Sequence, residues 1–264
     1  MTPILMLGAG RMGGALIEGW RMAGAFQASD LLIREPHANP TLEAAKAAGA
    51  SVNPADAELA RAKTVLLAVK PQLWREAAAE VADHLAPDAV IVSIAAGVRV
   101  SDISQAFGGR AVARIMPTTA VAICQGTASI YAADGEAKAR AHALFAPVGT
   151  VVDIADEELM HAATGVSGSA PAYLYAFVEA LEAAGAAAGL PAADSARLAR
   201  STIAGAAALM ARGGEEPAEL RKQVTSPGGT TQAALDVLLG ENGFPRLLRE
   251  AVAAATRRSK ELGR

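Results

Sequence analysis

An apolar strand that runs directly into a glycine-rich turn constrains this chain more than any other feature. Residues 4–7 are apolar, the motif Gly8-x-Gly10-x-x-Gly13 follows, and the apolar Leu16, Ile17 and Trp20 stand at helical spacing after it. Gly8 permits the tight turn, Gly10 lets a pyrophosphate approach the backbone, and Gly13 lets the helix pack closely on the sheet. The pattern predicts a unit that binds NAD or NADP. The predicted coenzyme contacts in this turn are Gly8, Gly10, Arg11, Met12 and Gly13.

The bulk properties limit the class of protein. The 264 residues can form two modest domains, and the net charge of −3 gives no sign of a nucleic-acid-binding surface. The single cysteine, Cys124, cannot form an intrachain disulfide and is interpreted as a small buried hydrophobe. We recognise no signal peptide, no membrane span and no metal-ligand spacing among the four histidines. We therefore expect a cytoplasmic protein without a metal ion.

Strand and helix patterns alternate over the first half of the chain. This alternation predicts an α/β fold, a doubly wound parallel sheet of Rossmann type with helices on both faces. After the first strand, strands are predicted at residues 30–33, 64–69, 89–94, 110–115, 127–131 and 150–154. Helices are predicted at residues 42–48 and 72–85.

The second half changes to helical patterns broken by loop signals. Helices are predicted at residues 169–188, 194–210, 231–239 and 245–262, with a short one around Leu220. The chain is therefore predicted to contain a dinucleotide-binding domain, residues 1–155, and an all-helical domain, residues 156–264. The alanine-rich residues 180–188 favour close helix packing, either in an ordinary bundle core or between two subunits. Because symmetric dimers are common, we expect a homodimer.

Three segments follow predicted strands, where ligands bind in sheets of this kind. They are residues 68–71, 93–97 and 114–117. Small residues and proline at these strand ends let a ring lie close to the backbone. Lys70 either contacts a coenzyme phosphate or substrate carboxylate, or is a solvated lysine at a strand end. The predicted coenzyme contacts here are Ala68, Val69, Lys70, Pro71, Ala95, Ala96 and Gly97.

The end of the second predicted strand should contact the adenosine ribose. An acid there favours NAD through the ribose 2′-hydroxyl, whereas an arginine accommodates the 2′-phosphate of NADP. Arg34 and Glu35 stand side by side at this point, so the choice stays open. Because Arg34 comes first off the strand, we expect NADP(H), with NAD(H) as the alternative.

Several segments carry a resemblance to a known family that runs nearly end to end. They are residues 8–13, 68–71, 93–97, 165–173, 225–231 and 241–244. The most specific are Gly-Val-Ser-Gly-Ser-Ala-Pro-Ala-Tyr at 165–173 and Thr-Ser-Pro-Gly-Gly-Thr-Thr at 225–231. They resemble pyrroline-5-carboxylate reductases, which make proline by reducing a cyclic imine. The resemblance implies an N-terminal Rossmann domain, a C-terminal helical dimerisation domain, and dimers that can assemble further into rings.

The chain departs from the family pattern at three places. Thr118 stands where the family usually has an asparagine near the nicotinamide. Lys222 stands where an acid often lies four residues before the serine of Ser-Pro-Gly-Gly. Arg34 and Glu35 stand where small polar residues are common, which leaves the coenzyme preference open.

Residues 226–231 are the predicted anchor for the substrate. A protonated cyclic imine is already electrophilic, so the protein must position it and anchor its carboxylate rather than supply a nucleophile. Exposed glycine N–H groups and the positive end of the following helix suit that carboxylate. The resemblance implies that the Thr231 hydroxyl lies near the ring nitrogen; alternatively, Thr230 or Thr231 caps the helix. The predicted substrate contacts are Ser169, Ser226, Gly228, Gly229, Thr230 and Thr231, and the predicted catalytic residues are Thr231 and Lys70.

Two further positions have alternative interpretations. Ser169 and its neighbour Ser167 either contribute to the floor of the site or cap the long helix, and Gly168 allows close approach of the sheet. Glu157 aligns with an acid that lies next to coenzyme or substrate in the family, or it is an exposed glutamate at a helix start.

Two rival functions are weighed against the reductase. A β-hydroxyacid dehydrogenase needs a general base, usually a lysine in the helical domain, yet the helical half holds only Lys222 and Lys260. Neither lysine lies on the long helix after Ser169, which disfavours this rival. A dinucleotide-binding regulatory protein without catalysis is the second alternative, and the departure at Thr118 keeps it open.

Overall fold

The computed structural model describes residues 1–263, which divide into two compact units. The first unit contains Met1–Gly168 and the chain from Ala253 onward, and the second contains Ser169–Val252. The division into two independently folding domains, with the boundary between residues 155 and 156, stays a prediction.

A sheet forms the centre of the first unit, with eight strands in the part of the chain that the structure describes. The strands are β1 (Ile4–Leu7), β2 (Leu31–Arg34), β3 (Ser51–Val52), β4 (Thr64–Leu67), β5 (Val90–Ser93), β6 (Val112–Pro117), β7 (Gly126–Tyr131) and β8 (Gly149–Asp153). Their order is β3-β2-β1-β4-β5-β6-β7-β8, and β1 is parallel to both β2 and β4. Since the chain moves outward from β1 in both directions, the topological switch point lies between β1 and β4. The predicted Rossmann-type sheet is confirmed.

One pair of strands departs from the predicted parallel arrangement. β6 and β7 run antiparallel, with Arg114 opposite Tyr131. A short link joins them, and most of it is a 3₁₀ turn, Thr119–Ile123. A parallel crossover needs a dozen or more residues, so this link permits only a reversal of direction.

Helices cover both faces of this sheet. They are α1 (Arg11–Ala23), α2 (Pro40–Ala47), α3 (Asp56–Leu59), α4 (Trp74–Val81), α5 (Val100–Ala106), α6 (Gly135–Phe145) and α7 (Leu159–Ala163). Ile4 packs in the core under α1, whereas Leu5 packs in the core under α4. This alternation places an apolar core on each face, as a doubly wound sheet requires. α5 and α6 lie outside the predicted helices, because their few large apolar residues give a weak helical pattern.

The second unit, residues 169–252, consists of helices joined by turns and loops, as predicted. Its helices are α8 (Ala170–Ala187), α9 (Ala192–Gly213), α10 (Pro217–Gln223), α11 (Thr230–Leu238) and the first part of α12 (Phe244–Leu262). α8 and α9 approach closely at Gly185, where a Cβ would lie 2.2 Å from the Ser195 hydroxyl oxygen. That hydroxyl donates a hydrogen bond to the Glu182 carbonyl, 2.7 Å away. Among the described residues, no helix is long and apolar enough to cross a membrane.

Candidate functional site

A cleft of about 1180 Å³ opens at the carboxyl ends of the parallel strands, at the switch point of the first unit. It is formed by the segments that follow β1, β2, β4, β5 and β6. The predicted coenzyme contacts that line it are Gly8, Gly10, Arg11, Met12, Arg34, Glu35, Ala68, Val69, Lys70 and Ala96. Ligands of open α/β sheets bind at this position, so the cleft is the candidate dinucleotide site.

The other predicted coenzyme contacts do not line this cleft. A Cβ on Gly13 would lie 2.3 Å from the Gly8 carbonyl oxygen, so Gly13 serves the helix–strand packing expected of it. Pro71 begins a 3₁₀ turn, and Ala95 is buried. Gly97 lies against the end of the chain, where a Cβ would be 2.8 Å from the Gly263 nitrogen. Ala95 and Gly97 are thus buried behind the cleft surface that Ile94 and Ala96 line.

The glycine-rich turn fits a pyrophosphate. Gly8 adopts a φ of +94°, and a Cβ there would lie 2.8 Å from the Ala68 carbonyl oxygen. Gly10 is the N-cap of α1 without a side-chain cap, and a Cβ added to it would meet no atom within 4 Å. Open space therefore adjoins the uncapped positive end of a helix, as phosphate binding requires.

Glu35 is held against the glycine-rich turn. One carboxylate oxygen accepts a hydrogen bond from the Ala9 N–H at 2.9 Å, and the other accepts one from the His37 N–H at 2.9 Å. Its backbone N–H donates to the Asn53 side-chain oxygen, 3.0 Å away. The side chain is only 11% exposed, so the carboxylate is a fixed part of the cleft wall.

Arg34 is turned toward the other side of β2. Its Nη2 donates hydrogen bonds to the Pro54 carbonyl oxygen at 3.0 Å and to the Asp56 carboxylate at 2.5 Å. Its Nε is buried without a partner among the described residues. Arg34 therefore lines the cleft with a guanidinium group whose Nη2 already has hydrogen-bond partners within the protein.

Lys70 and Thr118 follow β4 and β6, two strands that β5 separates in the sheet. Lys70 follows β4, and its exposed side chain lines the cleft. Thr118 is buried, and its hydroxyl accepts a hydrogen bond from the Thr127 N–H at 3.0 Å. The departure from asparagine thus places a hydroxyl in the link between β6 and β7, while Met116 and Pro117 line the cleft.

The predicted anchor loop of the second unit has the expected exposed backbone. Gly228 adopts a φ of +70°, and the Gly229 N–H donates to the Ser226 carbonyl oxygen at 3.0 Å. Gly229 is the N-cap of α11 and makes no side-chain cap, so the alternative that Thr230 or Thr231 caps this helix is wrong. Within residues 1–263, no hydrogen bond is formed by the hydroxyls of Ser226, Thr230 and Thr231.

The departure at Lys222 forms a surface ion pair. The Lys222 ammonium lies 2.6 Å from the Glu219 carboxylate, one turn earlier in α10. Both side chains are more than half exposed, so the pair contributes little to stability.

The serines around the start of α8 do not cap it. Ser169 occupies the N-cap position without a side-chain hydrogen bond, and the Ser167 hydroxyl donates to the Ala163 carbonyl oxygen at 2.9 Å. The capping interpretation is therefore wrong. The preceding residues Thr164–Gly168 form a π-helical turn. A Cβ on Gly168 would lie 2.9 Å from the Met116 sulfur, which confirms the predicted close approach to the sheet.

Glu157 is not the exposed helix-start glutamate that one interpretation predicts. Its Oε1 accepts hydrogen bonds from the Val100 N–H at 2.8 Å and from Arg114 Nη1 at 3.1 Å. Arg114 is only 2% exposed and lies within β6, whereas the sequence predicted only that residues 114–117 follow a strand where ligands bind. An arginine within an apolar strand was the signal that could have revealed it, since a buried charge requires a partner.

The fold and the cleft define a dinucleotide-binding protein of the Rossmann type joined to a helical unit. Residues 157–262 match the family model described as pyrroline-5-carboxylate reductase dimerisation, and residues 3–97 match that described as NADP oxidoreductase coenzyme F420-dependent. With relatives up to 38% identical over nearly its full length, the chain belongs to the pyrroline-5-carboxylate reductase family. The resemblance predicted from sequence is confirmed.

Individual relatives agree along the whole chain. The pyrroline-5-carboxylate reductase of Synechocystis sp. is 38% identical, covering 98% of this chain and 97% of its own length. The solved pyrroline-5-carboxylate reductase of Coxiella burnetii is 28% identical with a TM-score of 0.90, covering 100% of this chain and 99% of its own. The pyrroline carboxylate reductase of Plasmodium falciparum, solved with NADP bound, is 26% identical with a TM-score of 0.85, covering 100% of this chain and 98% of its own.

Proposed function

We propose that the protein reduces 1-pyrroline-5-carboxylate to L-proline, the final step of proline biosynthesis, with NAD(P)H as reductant. Membership of the family, with 38% identity over nearly the full chain, supports this activity. The observation in the structure that carries it is the loop before α11, where a glycine N-cap leaves the Thr231 hydroxyl without a partner in the described chain. This loop offers both an anion site and a hydroxyl group, which a cyclic imino acid requires.

NADP(H) is the proposed coenzyme, and NAD(H) stays open. The family model over residues 3–97 and the NADP-bound Plasmodium relative support NADP(H). Gly8, Gly10, Arg11 and Met12 would hold the pyrophosphate, and Arg34 would contact a 2′-phosphate. Glu35 suits the ribose hydroxyls that NADH presents. When bound, the coenzyme supplies the hydride.

The residues of the chain would position the substrate by binding its carboxylate and its protonated ring nitrogen. The N–H groups of Gly228 and Gly229 and the start of α11 would hold the carboxylate. The Thr231 hydroxyl would hydrogen-bond the ring nitrogen, which stays protonated while C5 accepts hydride and the imine becomes a secondary amine. Lys70, exposed in the cleft, would hold an anionic group of coenzyme or substrate. No covalent nucleophile is needed.

A homodimer is the proposed assembly, with a ring of dimers as its extension. The family model for dimerisation spans residues 157–262. α8 contains no buried residue in the single chain, and Leu174 and Leu181 on it are both exposed. They are seven residues apart and share one helix face, which a second subunit would cover. We place the protein in the cytoplasm, where the lone, partly buried Cys124 stays reduced.

The decisive experiment follows NAD(P)H absorbance with 1-pyrroline-5-carboxylate. We expect oxidation of NADPH that depends on the imine and yields proline. If both coenzymes bind without turnover, the protein is a regulatory dinucleotide-binding protein instead. If it turns over a β-hydroxyacid but not the imine, the dehydrogenase alternative is correct.

A further inference from the structure

Residues 94–99, which join β5 to α5, form a loop with two different sides. Ile94 and Ala96 line the coenzyme cleft. Gly97 is buried on the opposite side and adopts a φ of +84°. A Cβ at Gly97 would lie 2.8 Å from both the Ser259 carbonyl oxygen and the Gly263 nitrogen. The end of α12 therefore supports the cleft wall from behind.

The last turn of α12, which belongs to the first unit, is held by residues that precede and begin α7. His161 Nδ1 lies 2.9 Å from the Ser259 hydroxyl oxygen, and both residues are buried. On the surface, the Glu158 carboxylate lies 2.8 Å from Arg99 and 3.9 Å from Lys260. Residues 157–161 thus contact both the 94–99 loop and the end of the chain.

Glu157, whose side chain is 21% exposed, is at the centre of these contacts. It joins the first N–H of α5, at Val100, to the guanidinium of Arg114. Arg114 Nη2 is buried without a partner among the described residues, so Glu157 is the carboxylate that compensates this buried charge. Burial lowers the pKa of Arg114, and the hydrogen bond to Glu157 opposes that shift.

We propose that Glu157 is a positioning residue that, together with Ser259 and Gly263 behind Gly97, holds the 94–99 loop in the conformation that binds the coenzyme. The proposal rests on the proposed function, because it assumes that the cleft binds NADPH. Glu157 acts here through Val100 and the loop rather than by touching the coenzyme. This explains why a carboxylate stands at the junction before α7, far along the chain from the glycine-rich turn.

The test compares Glu157→Ala with Glu157→Gln and with the control Glu158→Ala. Alanine removes both hydrogen bonds, glutamine keeps an oxygen that can accept them, and Glu158→Ala breaks only the exposed pairs with Arg99 and Lys260. Two properties are measured without substrate: the dissociation constant for NADPH by fluorescence, and amide hydrogen exchange of residues 94–100 in the free protein. Both measurements are independent of whether the protein reduces the imine.

In Glu157→Ala we expect faster exchange at Val100 and its neighbours, and a dissociation constant raised about tenfold, as for the loss of one charge-assisted hydrogen bond. Glutamine should restore part of both effects. Glu158→Ala should change neither, because an ion pair between side chains that are more than half exposed contributes little. In turnover assays, KM for NADPH should rise more than kcat falls. Weaker binding with unchanged exchange would mean direct contact and would overturn the proposal, as would faster exchange with unchanged binding. If the alanine variant does not fold, Glu157→Asp, which retracts the carboxylate by one methylene, is judged by the same outcomes.

Discussion

The carboxylate of Glu35 accepts a hydrogen bond from the backbone N–H of Ala9, 2.9 Å away in the glycine-rich turn. The acid at the end of β2 is thereby held over the place where an adenosine ribose lies in Rossmann-type sites. The neighbouring Arg34 instead donates a hydrogen bond to the Asp56 carboxylate, on the other side of β2. The coenzyme preference therefore depends on whether Arg34 exchanges that partner for a 2′-phosphate.

Replacing Arg34 should separate the two coenzymes. If Arg34 contacts the 2′-phosphate, Arg34→Ala raises KM for NADPH about ten- to hundredfold and changes KM for NADH little, because a charge-assisted hydrogen bond contributes about 1.5–3 kcal/mol. Asp56→Ala should instead lower KM for NADPH by releasing Nη2. Asp88→Ala, which removes another exposed acid, paired with Lys63, is the control for net charge. Equal effects of Arg34→Ala on KM for both coenzymes would show that Arg34 does not contact the 2′-phosphate.

A side chain at Gly228 should abolish turnover. A Cβ there meets no atom within 4 Å, so Gly228→Val would fill the space proposed for the substrate carboxylate while NADPH binding stays nearly unchanged. Gly214→Val is a matched control, since Gly214 has a similar φ of +66° and equally open surroundings. Fluorescence titration and steady-state assays measure both properties. A comparable loss of NADPH affinity would show that the loop contacts the coenzyme and not the substrate carboxylate.

Thr231→Val tests the hydroxyl proposed to contact the ring nitrogen. We expect kcat to fall about tenfold or more with little change in the free energy of unfolding, because Thr231 does not cap α11. A lost cap would instead cost about 1 kcal/mol of stability. Thr202→Val, which removes an exposed hydroxyl from α9 of the same unit, is the control. Normal turnover in Thr231→Val would exclude the catalytic role.

His161 should make the protein less stable in acid. Burial and the charge of Arg114 lower the pKa of His161 from its usual 6.5, with smaller effects from Glu158, which raises it, and from Lys260 and Arg99. The unfolded chain therefore binds the proton more readily, so this contribution to stability is complete above pH 6.5 and is lost as the pH falls toward the lowered folded value.

Urea unfolding at a series of pH values measures this effect. His161→Gln should flatten the decline below pH 6.5, whereas His37→Gln, at an exposed histidine, should leave it unchanged. A decline of the same slope in His161→Gln would assign the acid sensitivity to other groups.

A charge on the exposed face of α8 should prevent assembly. Leu181→Glu is expected to shift the protein from dimer to monomer in analytical ultracentrifugation, because a carboxylate would have to be desolvated in the proposed interface. Met22→Glu places the same charge on an exposed apolar residue of the first unit and serves as the control. An unchanged dimer in Leu181→Glu would place the interface elsewhere.

Local patterns explain which parts of the fold were predictable. The four apolar residues of β1, the glycine turn and α1 are contiguous, and their hydrogen bonds and steric limits involve near neighbours. The helices of the second unit follow equally from local periodicity. By contrast, the antiparallel direction of β6 and β7 depends on the short link between them. The apolar pattern within either strand carries no information about that direction.

The sequence by itself determined the coenzyme-binding turn, the helical second half and the loop before α11, because each is specified by residues close together in the chain. Only the tertiary structure decided that Glu35 faces Ala9 while Arg34 faces Asp56, although the two residues are adjacent. It also brought Glu157 to Arg114 and the end of α12 to Gly97. The partner of a buried charge depends on strand order and on where the chain returns, and these are properties of the whole fold.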